Sequence, residues 1–248
     1  MDSNRTRTVR RVVVLASLMC AAATAAASPP PLPLEREGDT FDTLHARYDA
    51  RAAVDPDALH VLKQGANLCK DYEPEWRKEP FVPNYFKVFG AWQDRFCVGR
   101  SRREDFTRYS ALEVAARARG EKTLTLDDAV DIVLTSDSPA QLEAATRAIE
   151  ASPKSWPFGT RFIRYSQGIP NLTELQGLAI RSIACDYSGA CDAYRTETMW
   201  MCARDRTCTP DLTVFGQWAM THSREAMVAV RLMKERLVQE RDKRRAGR

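Results

Sequence analysis

The sequence predicts an all-α protein: helical hairpins packed as a bundle or short α-array, braced by three disulfides. Three observations carry that expectation. Apolar residues recur at helical spacing along most of the chain, and alternating strand patterns are scarce. Capping signals stand ahead of several of these stripes. Six cysteines, Cys69, Cys97, Cys185, Cys191, Cys202 and Cys208, follow a segment built like an export signal.

That segment has its parts in order. Arg5, Arg7, Arg10 and Arg11 make a cationic start, Val12 to Ala27 is free of charge, and Ala25, Ala26 and Ala27 offer small residues to a peptidase. The uncharged run falls short of the ~20 apolar residues that span a bilayer. Cleavage near Ala27 is therefore expected, with a periplasmic or secreted destination. The seventh cysteine, Cys20, would leave with residues 1–27. Ser28 to Gly38, carrying Pro29, Pro30, Pro31 and Pro33, reads as an extended linker. Residues 39–240 then form the helical domain, with room for two subdomains, and residues 241–248 a basic tail.

Within the domain, Phe41, Leu44, His45 and Tyr48 share a helical face. Asp55-Pro56 is a capped start for the stripe Leu59, Leu62, Ala66 and Cys69. Tyr85, Val88, Phe89, Trp92 and Phe96 form the next stripe. Ser138-Pro139 with Gln141 makes a capping box ahead of Leu142, Ala145 and Ile149, and Asn171 with Glu174 another ahead of Leu175 and Leu178. Thr209-Pro210 is read as opening a helix through Val214 and Trp218. A last helix carries Met227, Val230 and Leu237. The best strand candidate, Arg161 to Tyr165, is short.

The cysteine spacing at the end of this pattern is specific. Cys185 and Cys191 enclose five residues, Cys202 and Cys208 enclose five more, and Cys202 lies 17 residues after Cys185. Residues six apart on an unbroken helix are separated by about 9 Å of rise, whereas bridged Cα atoms come within roughly 7 Å. A local bridge thus requires the helix to end inside each pair, and Tyr187-Ser188-Gly189-Ala190 provides such a break in the first. The expected pairing is 185–191, 202–208 and 69–97. A four-cysteine zinc site is the rival, although structural zinc favours spacings of about two to four residues. With no C-x-x-C, a thioredoxin-like role has no support.

The segments ACDYSGAC and MCARDRTC, within Ile183 to Cys208, resemble the paired-cysteine helical hairpins of uncharacterised exported proteins from proteobacteria. Tyr109 to Gly120, YSALEVAARARG, is similar to the end of a Sel1-type helical repeat. These resemblances imply an α-hairpin array that acts as a binding scaffold and carries out no reaction.

Charge narrows the partners. Residues 1–27 hold four arginines and one aspartate, so the full-length +4 becomes +1 after cleavage. Nucleic-acid binding is not expected of so neutral a chain. The one basic concentration runs from Arg231 to Arg248, with eight basic and three acidic residues, and it allows weak contact with an anionic membrane surface. Catalytic motifs are missing: His45, His60 and His222 lie in no zinc motif, and no nucleophile elbow or phosphate loop occurs. Asp127, Asp128 and Asp131 read as acidic residues at a helix N-terminus rather than calcium ligands. No cofactor or metal is predicted. Trp156 and Phe158 near Arg161 and Arg164, between Pro153, Pro157 and Gly159, are the candidate binding residues, because a loop is where aromatics are hardest to explain as packing. The expected function is an exported scaffold that binds a protein or an envelope glycan. An unrecognised enzyme acting on cell-wall glycan is the alternative.

Overall fold

Thr40 closes the first helix by a reciprocal cap: its hydroxyl accepts from the Thr43 amide, and the Thr43 hydroxyl accepts from the Thr40 amide. This is α1, Phe41–Tyr48. A computed structural model describes residues 33–72, 84–118, 124–151, 172–205 and 209–247. All secondary structure among them is helical, so the protein is all-α.

After a single 3₁₀ turn, α2 (Pro56–Cys69) starts as the sequence predicts. The Asp55 carboxylate accepts from the Asp57 and Ala58 amides, with Pro56 at the first helical position. Helices α3 (Asn84–Phe96) and α4 (Arg103–Ala118) complete a first group. Phe41, Leu44, Leu62, Ala66, Phe96 and Tyr109 form its core, and α2 lies so close to Phe41 and Phe96 that a Cβ at Gly65 would sit 3.2–3.3 Å from their rings. The Cys69–Cys97 bridge, fully buried, ties the end of α2 to the end of α3.

The second group comprises α5 (Leu126–Thr135), α6 (Pro139–Glu150), α7 (Leu172–Ser188), α9 (Val214–Thr221) and α10 (Arg224–Ala246). Val133, Leu142, Ile149, Ile180, Ile183, Val230, Met233 and Leu237 are its core. Each such side chain contributes roughly 1.5–3 kcal/mol by leaving water. Between the two groups lies α8 (Thr196–Asp205). Met199 and Cys202 enter the first core, Met201 enters the second, and Trp200 touches both. A helix buried on two faces joins the halves into one compact unit.

Two local readings differ from the sequence, and a third is described in part. Ser138 does cap α6 and accepts from the Gln141 amide, but the Gln141 side chain accepts from Ser136 instead of closing the box. Helix α9 starts at Val214, capped by the Thr213 hydroxyl on the Gly216 amide; Thr209 to Leu212 form a turn whose Pro210 carbonyl accepts from the Tyr194 amide. Of the three expected disulfides, two are described, 69–97 and 185–191. Cys202 is also disulfide-bonded, and Cys208 lies outside the described residues, as do Asn171 and the strand candidate 161–165.

Candidate functional site

Helix α7 ends where Gly189 takes a left-handed conformation, φ +69°, and its amide donates to the Cys185 carbonyl. The Cys185–Cys191 bridge, with Cα atoms 5.3 Å apart, fixes the loop that follows. The Val214 amide donates to the Cys191 carbonyl at 2.9 Å, which seats α9 on the same loop. These constraints leave a cleft of about 510 Å³. Its floor is the Ser182, Cys185 and Asp186 face of α7. One side is the loop with Asp192 and Arg195, and the other is Phe215 and Trp218 of α9 with Lys234 of α10.

The cleft is amphipathic. Phe215 and Trp218 meet edge to face at 6.2 Å, and Phe215 stays 38% exposed while Trp218 is buried. Lys234 is committed to the floor, donating to Asp186 at 2.8 Å and to the Ser182 carbonyl at 3.2 Å. Arg36, Glu37, Asp192 and Arg195 line the cleft with no ion-pair partner among the described residues. Both signs of charge are therefore available to a ligand beside an aromatic surface.

The remaining wall is the segment 33–38, which precedes α1. The Leu34 carbonyl accepts from Tyr48 at 2.8 Å and Arg47 at 3.1 Å, and Arg47 also binds Asp39 with two hydrogen bonds. The Glu35 amide donates to the Ser188 carbonyl at 2.8 Å. Its carboxyl group, in a residue only 3% exposed, meets the start of α8: the Thr196 amide donates at 3.1 Å, and the Thr196 hydroxyl lies at 2.5 Å. Burial pushes the Glu35 pKa up to about 7 in spite of these bonds and of nearby Arg195. The part of the Pro-rich linker nearest the domain is thus a pinned wall.

A second titratable cluster fills the seam between the halves. Lys63 of α2 pairs with Glu113 of α4 at 2.5 Å, and the Gln64 amide donates to Glu197 of α8. Arg181 of α7 lies 3.5 Å from Glu143 and 3.1 Å from Glu150 of α6. Burial, reinforced by the Glu143 charge, holds the Glu197 pKa above the usual carboxylate range, and burial holds His60 below the usual imidazole value. Glu197 and Glu143 are two carboxyl groups in unlike settings, one desolvated and one beside a guanidinium.

Of the residues singled out from the sequence, Trp156, Phe158, Arg161 and Arg164 lie outside the described residues, as does the export segment. The cysteines do build the cleft, through 185–191. Phe89, Trp92 and Phe96 are core. Asp128 serves the Thr125 cap reciprocally, and Asp131 pairs with Arg244 at 2.6 Å. His222 ends α9, near the Trp218 carbonyl and Glu174. Arg241, Lys243, Arg244 and Arg245 belong to α10, where Arg241 is buried and Arg245 pairs with Asp137; Arg248 lies outside the described residues. Among the described residues no His, Cys, Asp and Glu group is arranged to hold a metal, and no helix is long and apolar enough to cross a membrane. Glu35, Arg195 and the Phe215–Trp218 pair were not legible as a site, because they come from three separate parts of the chain.

Compared with protein-family models, curated proteins and solved structures, the chain matches none.

Proposed function

We propose that this protein is an exported helical scaffold that binds a short polypeptide segment of a partner protein in the cleft between the 33–38 wall, α7 and α9. The observation that carries this reading is an exposed aromatic, Phe215, beside uncommitted charges of both signs, Arg36 and Arg195 with Glu37 and Asp192. Extended peptides offer apolar side chains together with charged ones, so they use both parts of such a surface. The export signal and the disulfides support a periplasmic or extracellular setting. A third bridge, Cys202 to Cys208, would then hold the end of α8 as 185–191 holds the end of α7.

The test is photocrosslinking in the periplasm, with a photoreactive phenylalanine analogue placed at Phe215 or, as control, at Val114, an exposed residue of α4. Polypeptide adducts at position 215 and none at 114 support the reading. Equal adducts at both positions, or none at 215, overturn it.

A second reading, hydrolysis of cell-wall glycan, draws on Glu197 and Glu143. A desolvated carboxyl group such as Glu197 can serve as a general acid, with a second carboxylate as its partner. Turnover of peptidoglycan that is abolished by Glu197→Gln would favour it over the scaffold.

A further inference from the structure

We infer that the cleft takes the C-terminal end of a polypeptide, with Arg195 pairing to the terminal carboxylate and Phe215 with Trp218 receiving an apolar last side chain. The inference names the ligand of the cleft and rests on the peptide reading given above.

The charges lining the cleft differ in what they offer a ligand. Lys234 and Asp186 are already paired with each other. Arg36, Glu37 and Asp192 are exposed and keep their water, so an ion pair at any of them adds little. Arg195 is the exception, half-buried and without an ion-pair partner among the described residues. Its guanidinium has given up part of its hydration with no carboxylate in return. The buried acid near it, Glu35, does not supply one. One Glu35 oxygen accepts from the Thr196 amide at 3.1 Å, and the other lies 2.5 Å from the Thr196 hydroxyl. Glu35 therefore feels Arg195 through its field alone. A carboxylate brought by a ligand completes Arg195 with two parallel hydrogen bonds, the pairing that a guanidinium fork fits best. Asp192 opposes such a ligand, but its exposure leaves that repulsion screened.

The bounds of the cleft make this the carboxylate of a chain end. Its floor is α7, and the loop with Asp192 and Arg195, α9 with α10, and the 33–38 segment stand around it. The 33–38 segment meets the start of the loop at Gly189, where an added Cβ would sit 2.3 Å from the Glu35 carbonyl oxygen. No chain passes out between them. A threaded polypeptide needs an exit as well as an entrance, whereas about 510 Å³ bounded in this way suits a few residues entering by one end. In a chain end the carboxylate and the last side chain leave the same Cα, so charge and apolar surface arrive together. Arg195 and the Phe215–Trp218 pair, lining one cavity, meet that combination.

The experiment uses the purified, disulfide-intact protein and a pool of randomised hexapeptides made both as free acids and as C-terminal amides. Retained peptides are identified by mass spectrometry, and their affinities are measured by fluorescence polarisation. Retained free acids should end in an apolar residue, and their amides should bind roughly tenfold to a hundredfold more weakly, the range for a hydrogen bond to a charged group. Arg195→Gln should remove that difference and leave the affinity of the amides unchanged, whereas Phe215→Ala should weaken both forms. Arg231→Gln, exposed on α10 and outside the cleft, should bind as the wild type does. Comparing acid with amide on the wild type needs no variant, so a misfolded Arg195→Gln does not shield the inference. Equal binding of the two forms, or an acid preference that survives Arg195→Gln, overturns it. Amides that bind through an internal Asp or Glu would keep the peptide reading and overturn the chain end. A pool from which neither form is retained defeats both.

Discussion

Asp57 accepts a hydrogen bond from the Ser138 hydroxyl at 2.7 Å and a second from the Ala140 amide at 3.0 Å. It stands in the first turn of α2, so one carboxylate serves two helix N-termini, its own through the dipole and that of α6 by direct bonds. The contact joins the first helical group to the second, 81 residues further along the chain for Ser138.

Asp57→Ala should therefore cost about 1–2 kcal/mol, the range of a lost cap. Urea denaturation followed by circular dichroism reads this as a lower midpoint at unchanged slope. A midpoint equal to the wild type would mean that α6 is adequately capped by Ser138 alone.

Arg241 is 2% exposed, and its guanidinium donates to the Val133 and Ser136 carbonyls, to Asp137 and to the Tyr187 hydroxyl. It clamps the end of α10 onto the α5–α6 junction. Arg241→Met should destabilise by about 1–3 kcal/mol for each carbonyl it leaves without a donor, at Val133 and Ser136, while Asp137 keeps Arg245. Arg241→Lys should recover little, because a single ammonium cannot replace the fork. Arg236→Ala, at an exposed pair on the same helix, should stay within about 0.5 kcal/mol.

Glu197 gives the fold a pH dependence. Its pKa is raised in the folded protein, so the neutral acid is the form that suits the fold. Its contribution is fully present below the unfolded value of 4.5 and is lost as pH rises through the folded value. Glu197→Gln should match the wild type in acid and exceed it in stability at mildly alkaline pH. Thermal melts across pH check this; a variant weaker than the wild type at alkaline pH would show that the charge is needed.

The two described bridges should differ in worth. Loop-closure entropy assigns about 3.6 kcal/mol to 69–97, with a separation of 28, and about 2.2 kcal/mol to 185–191, with a separation of 6. Replacing each pair by alanine and comparing unfolding free energies tests the order. Because Cys69 and Cys97 are fully buried in the first core, their loss should also leave a packing defect. The reverse order would mean that the 185–191 loop holds more structure than its length implies.

Much of the helical layout was legible. Asp55-Pro56 and Ser138-Pro139 start α2 and α6 as read, because a cap is a contact between near neighbours in sequence. The 185–191 bridge was legible for the same reason, as a helix break within a short cysteine pair. Pro210 misled, since proline suits a turn as well as a first helical turn, and the Tyr194 amide bond to its carbonyl settled the turn. Leu34 and Glu35 gave no periodic signal amid the prolines, and so the 33–38 wall read as linker.

From sequence alone come the all-α class, the capped starts of individual helices and the local disulfide, all of which depend on interactions a few residues long. Tertiary structure decided that α8 lies between two cores, that Arg241 is buried, and that Glu35 lies against Thr196 across 161 residues of chain. Periodicity marks which face of a helix is apolar but not which helix covers it. A desolvated carboxyl group is created only when distant segments close around it.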